Sequence, residues 1–126
     1  MCSSDLGWRM ILWDMRGHGD SDSPDDPALY SEAHTVADMA ALLDAAGVEQ
    51  AVIAGLSLGG YMSLAFHAAL PWRTRALMLF DTGPGFKKDE ARARWNATAH
   101  ARATTFDAQG LAALNSSDEE IGRAHV

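Results

Sequence analysis

Residues 54–61 read Ala-Gly-Leu-Ser-Leu-Gly-Gly-Tyr, and Gly55-x-Ser57-x-Gly59 within them has the spacing of a turn that exposes a serine nucleophile. Such a serine attacks an acyl carbon and leaves an acyl-enzyme for water to cleave. The motif alone carries little information, because glycine and serine are common residues. Its setting carries more. It falls between a run that reads as a buried strand, residues 50–54, and a run that reads as a helix, residues 58–70. A nucleophile raised on a sharp strand-to-helix turn requires that setting. On this reading Gly55 and Gly59 remove side chains that would collide in the turn, and Gly60 lets helix and strand approach. The start of the helix offers unpaired N–H groups and the positive end of its dipole. The Leu58 N–H is therefore placed to stabilise an oxyanion. The plain alternative is a glycine-rich turn with an incidental serine.

The elements that must position Ser57 follow from hydrophobic periodicity. Residues 9–13, Arg-Met-Ile-Leu-Trp, form a short apolar run that predicts a buried strand ending at Asp14. Residues 16–27 are rich in Gly, Asp, Ser and Pro and read as a loop. Ser31 can cap a helix reaching about residue 46, with Val36, Met39, Ala40 and Leu43 at helical spacing and Gly47 placed to end it. Strand 50–54, helix 58–70 and its terminator Pro71 come next, then a third strand over 76–80. Residues 81–85, Asp-Thr-Gly-Pro-Gly, read as a turn. The Ala- and Arg-rich stretch 87–114 reads as helix, broken near Gly110. Apolar strands alternating with helices imply an α/β fold, a parallel sheet of about three strands covered on both faces.

Composition narrows the classes. The chain has 126 residues, 48% hydrophobic and 21% charged, which argues for a globular domain and against disorder. Its formal net charge of −7 disfavours nucleic acid and anionic membrane as partners. No apolar run approaches the roughly 18 residues of a membrane span. The single cysteine, Cys2, can form neither an internal disulfide nor a zinc site. No start resembling a signal peptide is present, and the expected compartment is the cytoplasm.

A second stretch reinforces the first. Asp14-x-Arg16-Gly17-x-Gly19-x-Ser21 follows the first predicted strand, about forty residues before the serine motif. With both stretches in this order, and an amphipathic helix between, residues 8–115 resemble the α/β-hydrolase superfamily. Within it they look most like esterase, enol-lactonase and cofactor-free haloperoxidase-like members. The resemblance implies a serine hydrolase of a small ester, lactone or related acyl substrate, with no metal or organic cofactor. Ser57 would be the nucleophile and the Leu58 N–H an oxyanion donor. The epoxide hydrolase and haloalkane dehalogenase branches carry aspartate at the Ser57 position and are disfavoured. A non-catalytic ligand-binding protein of the same fold is the alternative.

The same resemblance shows what is missing. The family's order is serine, then acid, then histidine. His67 lies well along the helix after Ser57 and points away. His100 sits in the Ala- and Arg-rich helix, and His125 is in the final six residues. His18 lies upstream, in a loop that is mainly architectural in the family, where Asp14, Arg16 and Ser21 are expected to satisfy the loop backbone and each other. Asp81 ends the third strand at the carboxyl edge of the sheet, where sites form. Some family members carry the triad acid there; its other reading is a turn residue. The second oxyanion donor would lie before residue 7.

The two ends read as foreign. The first six residues, Met-Cys-Ser-Ser-Asp-Leu, and the last six, Ile-Gly-Arg-Ala-His-Val, both match translations of a DNA sequencing-library adapter. The expectation is that residues 1–6 and 121–126 derive from adapter and that 7–120 are an internal piece of a longer gene. Residues 7–85 would be a partial hydrolase core and 86–120 the start of a helical cap, with Trp95, Phe106 and Leu111 on its inward face; the plain alternative for 86–120 is an ordinary helix of the hydrolase core. In the family a third strand lies between those at 9–13 and 50–54. Without it the chain is expected to be inactive, and marginally stable or aggregated. Its oligomeric state is left open.

Overall fold

The computed structural model describes residues 2–3, 7–110 and 112–115. The chain divides into two compact units, Met1–Pro84 and Gly85–Val126.

In the first unit β1 (Cys2–Ser3) pairs antiparallel with β2 (Arg9–Met10). This departs from the expected strand over 9–13 within the parallel sheet. Residues 11–15 form no ladder. Ile11, Trp13 and Met15, spaced two apart, still pack against the core. A ladder needs a neighbour about 4.8 Å away, and the described residues supply none beside this segment. Residues 11–15 therefore stand outside both ladders among the described residues.

A short 3-10 turn, Pro27–Leu29, leads into α1 (Glu32–Ala45). Ser31 caps it by accepting a hydrogen bond from the His34 N–H at 3.2 Å. At its other end Gly47 takes φ +64°, which glycine adopts without cost. The Val48 N–H reaches back to the Leu43 carbonyl at 2.8 Å and the Gly47 N–H to that of Asp44 at 2.9 Å. These are the two bonds of a Schellman stop.

Then β3 (Ala51–Leu56), α2 (Leu58–Ala69), a 3-10 turn (Pro71–Arg73) and β4 (Thr74–Phe80) complete the unit. β3 and β4 pair in parallel, with Ile53 beside Leu77, Gly55 beside Leu79 and Leu56 beside Phe80. The connection through α2 is what a parallel pair requires. Side chains alternate across a strand, so Ile53 and Leu77 face the helices. They meet Met62 and Phe66 of α2 and Met39 and Leu43 of α1 in one core, where Phe66 is fully buried. The opposite sheet face carries Val52, Leu56, Met78 and Phe80, all exposed. The expected sheet covered on both faces is thus covered on one. The α/β class stands, with two strands rather than three in the parallel ladder among the described residues.

The second unit is α3 (Asp89–Gln109) and α4 (Ala112–Asn115). Asp89 and Glu90 in the first turn of α3 complement its dipole. The helix ends at Gly110, φ +60°, as the sequence predicts. Phe86 packs on Trp95 with ring centroids 5.9 Å apart. Trp95 and Phe106, expected on an inward face, are both exposed, and Leu111 lies outside the described residues. No helix among the described residues is long and apolar enough to cross a membrane.

Candidate active site

Ser57 occupies the single-residue junction between β3 and α2. Its backbone sits at φ 51°, ψ −114°, a region that non-glycine residues rarely enter. Such a conformation persists only where neighbours over-determine it, and here they do. The Ser57 N–H donates to the Phe80 carbonyl at the end of β4, at 2.9 Å. The Ser57 carbonyl accepts the Tyr61 N–H at 3.0 Å, the first bond of α2. It also accepts the Thr82 hydroxyl at 2.7 Å. The serine itself is exposed.

The glycines divide their work differently from expectation. A Cβ on Gly55 would lie 2.1 Å from the Gly59 carbonyl carbon and 2.6 Å from the Gly60 nitrogen, so no side chain fits. A Cβ on Gly60 would lie 2.3 Å from the Thr82 methyl. A Cβ on Gly59 would meet nothing within 4 Å. Close approach therefore requires Gly55 and Gly60, and the steric role expected of Gly59 is corrected.

Leu58 opens α2, and its N–H has no carbonyl one turn back to bond. Its side chain is exposed. Asp81 follows β4 directly and is exposed at φ 44°; with Ser57 it is one of two non-glycine residues at positive φ among those described. Among the described residues no histidine lies within hydrogen-bond distance of Ser57 or Asp81. His67 is exposed in the last turn of α2, about 15 Å of helical rise beyond Ser57. The His18 Nδ1 lies 3.2 Å from the Arg16 carbonyl. His100 is exposed on α3 in the second unit, and His125 lies outside the described residues.

The Asp14–Ser21 loop is architectural, though wired differently from expectation. The Asp14 carboxylate accepts the Asp20 N–H at 3.3 Å, and the Ser21 hydroxyl donates to the Asp14 carbonyl at 2.7 Å. Arg16 leaves the loop. It grips Asp38 of α1 through two bonds, 2.8 and 3.2 Å, and donates to the Leu29 carbonyl at 3.0 Å. The Asp38 hydrogen bond raises the guanidinium pKa above its already high value. A cleft of about 400 Å³ separates this loop from α2, with Trp13, Asp14 and His18 on one side and Ala54, Gly59 and Ser63 on the other. No group of three or more metal-ligating side chains occurs among the described residues.

Two further contacts were not legible as site features. The Tyr61 hydroxyl donates to Glu32 at 2.6 Å, tying α2 to α1, and this bond raises the phenol pKa above its ordinary value. Thr82 lies outside both sequence motifs, and no local pattern marks a hydroxyl that must reach a residue 25 positions away.

Comparison with known proteins bears on the fold family. The sequence profile described as "alpha/beta hydrolase fold" matches residues 2–119. Epoxide hydrolase 2 of Siraitia grosvenorii is 39% identical over 75 residues, covering 60% of this chain and 24% of that protein. The 2-hydroxymuconate semialdehyde hydrolase of Pseudomonas putida is 42% identical over 71 residues, covering 56% and 25%. Bifunctional epoxide hydrolase 2 of Mus musculus is 34% identical over 76 residues, covering 60% and 14%. The chain spans about a quarter or less of the length of these relatives. No solved structure matches.

Proposed function

The chain belongs to the alpha/beta hydrolase fold family, and on that premise we propose that it carries the nucleophile of a serine hydrolase acting on a small ester, lactone or related acyl compound. The carrying observation is the exposed Ser57 at φ 51° between β3 and α2, fixed through both its N–H and its carbonyl. In the reaction the Ser57 hydroxyl attacks the acyl carbon while a histidine of the whole protein accepts its proton. The oxygen that gains charge turns toward the Leu58 N–H at the open end of α2. The protonated histidine passes the proton to the leaving alcohol, and water then releases the acid by the same route. Asp81, beyond the carboxyl end of β4, is the candidate to orient that histidine. Residues 86–120 are the candidate start of a helical cap.

Several relatives are named epoxide hydrolases, and nucleophile chemistry argues against carrying that activity over. Opening an epoxide with a serine hydroxyl leaves an alkyl ether, which water does not cleave under mild conditions. Opening it with a carboxylate leaves an ester, which water cleaves readily. A serine therefore turns over on acyl substrates and not on epoxides. The test is a fluorophosphonate probe applied to the full-length protein that carries this sequence, with the labelled peptide identified by mass spectrometry. Labelling at Ser57 and its loss in S57A are expected. Absence of label there overturns the proposal. A second reading is a non-catalytic ligand-binding member of the fold, which a full-length protein that keeps Ser57 but has no histidine to serve it would favour. An unlabelled but folded protein would select it.

A further inference from the structure

We propose that Thr82 is a positioning residue for Ser57, a brace that holds the nucleophile's backbone through two different contacts of one side chain. The inference rests on the reading of Ser57 as nucleophile. Its hydroxyl donates to the Ser57 carbonyl at 2.7 Å. Its methyl fills the space above Gly60, where an added Cβ would lie 2.3 Å away. One contact falls on the residue that caps α2 and the other within its first turn. Together they fix where the Leu58 and Gly59 N–H groups point. Threonine alone carries a hydroxyl and a methyl on the same Cβ.

The route by which Thr82 arrives supports this role. β4 runs parallel to β3 and ends at Phe80, whose carbonyl already holds the Ser57 N–H at 2.9 Å. A chain continuing straight would leave the sheet edge. Asp81 instead takes φ 44°, a left-handed conformation uncommon for a residue with a side chain. That reversal brings Thr82 back over the elbow. Phe80 thus holds the N–H of Ser57, and Thr82, two residues further on beyond the left-handed Asp81, holds its carbonyl. The carbonyl has room for both of its donors, Tyr61 and Thr82, because an oxygen offers two lone pairs.

The test compares T82V, which keeps the shape and loses the hydroxyl, with T82S, which keeps the hydroxyl and loses the methyl. Two readouts are taken on the full-length protein that carries this sequence. The first is the rate of fluorophosphonate labelling at Ser57, with the folded fraction matched by thermal melting. T82V is expected to label roughly ten- to a hundredfold more slowly at unchanged probe affinity, the usual cost of a displaced reacting group. T82S is expected to recover most of the rate. A residue that merely added stability would leave the labelling rate of the folded fraction unchanged. The second readout is hydrogen exchange at the Ser57 and Tyr61 amides, which does not depend on reactivity. T82V is expected to exchange faster at both, with no change at Leu43 of α1. If the parent labels and T82V labels equally fast, the brace is overturned and the nucleophile reading stands. If the parent does not label, that reading falls, and exchange decides: unchanged protection at Ser57 and Tyr61 in T82V overturns the brace.

Discussion

At the scale of single residues, the site turns on which glycine faces backbone. Gly55→Ala forces a Cβ into the Gly59 carbonyl at a distance that no backbone tolerates. It is expected to lower stability by about 2–3 kcal/mol. Gly59→Ala meets open space on a helix and is expected to raise stability by about 0.5–1 kcal/mol. Urea unfolding midpoints of the two variants check the contrast. The motif spacing treats these glycines alike, because spacing does not say which Cα hydrogen points at a carbonyl. Tyr61 makes a second prediction. Its hydrogen bond to Glu32 favours the neutral phenol, so the folded pKa lies above its ordinary value of 10.0. The stability from that bond is fully present below about pH 10 and is lost as pH rises through the higher folded value. Phenolate absorbance should show Tyr61 titrating lower in E32Q than in the parent, and equal titration would contradict the assignment.

At the scale of elements, α2 does most of the organising. Its inner face supplies Met62 and Phe66 to the core, and its first turn carries the elbow. Phe66→Ala is expected to cost about 3–5 kcal/mol, because a fully buried ring leaves a cavity. Met78→Gln on the open sheet face should change stability by about 0.5 kcal/mol or less. Thermal melting of both separates the covered face from the uncovered one. These elements were largely legible in the sequence. Predicted helix 58–70 is observed as Leu58–Ala69, and predicted strand 76–80 lies within Thr74–Phe80. Both are set by local signals: apolar periodicity, a proline stop, a turn. The strand over 9–13 was not legible, because its apolar pattern says only that a segment packs inward. Whether it forms a ladder depends on a neighbour elsewhere in the chain. Thr82 was hidden for the same reason.

At the scale of the whole molecule, a parallel pair of strands with one bare apolar face is an incomplete layer. Leu56, Met78 and Phe80 are each half or more exposed there. An exposed apolar sheet with free edges recruits other chains. This 126-residue chain is therefore expected to self-associate with rising concentration. L56K/M78K should remain monomeric under the same conditions in sedimentation velocity. Equal association of parent and variant would place the contact elsewhere. The tie between Ser57 and the end of β4 has a consequence in time as well as in space. The ribosome makes Ser57 first and Thr82 25 residues later, a delay of about one to five seconds at ordinary rates of synthesis. During that interval neither Phe80 nor Thr82 exists to hold the strained backbone. The sharp turn described above gains its β4-side restraints only when that strand has been made.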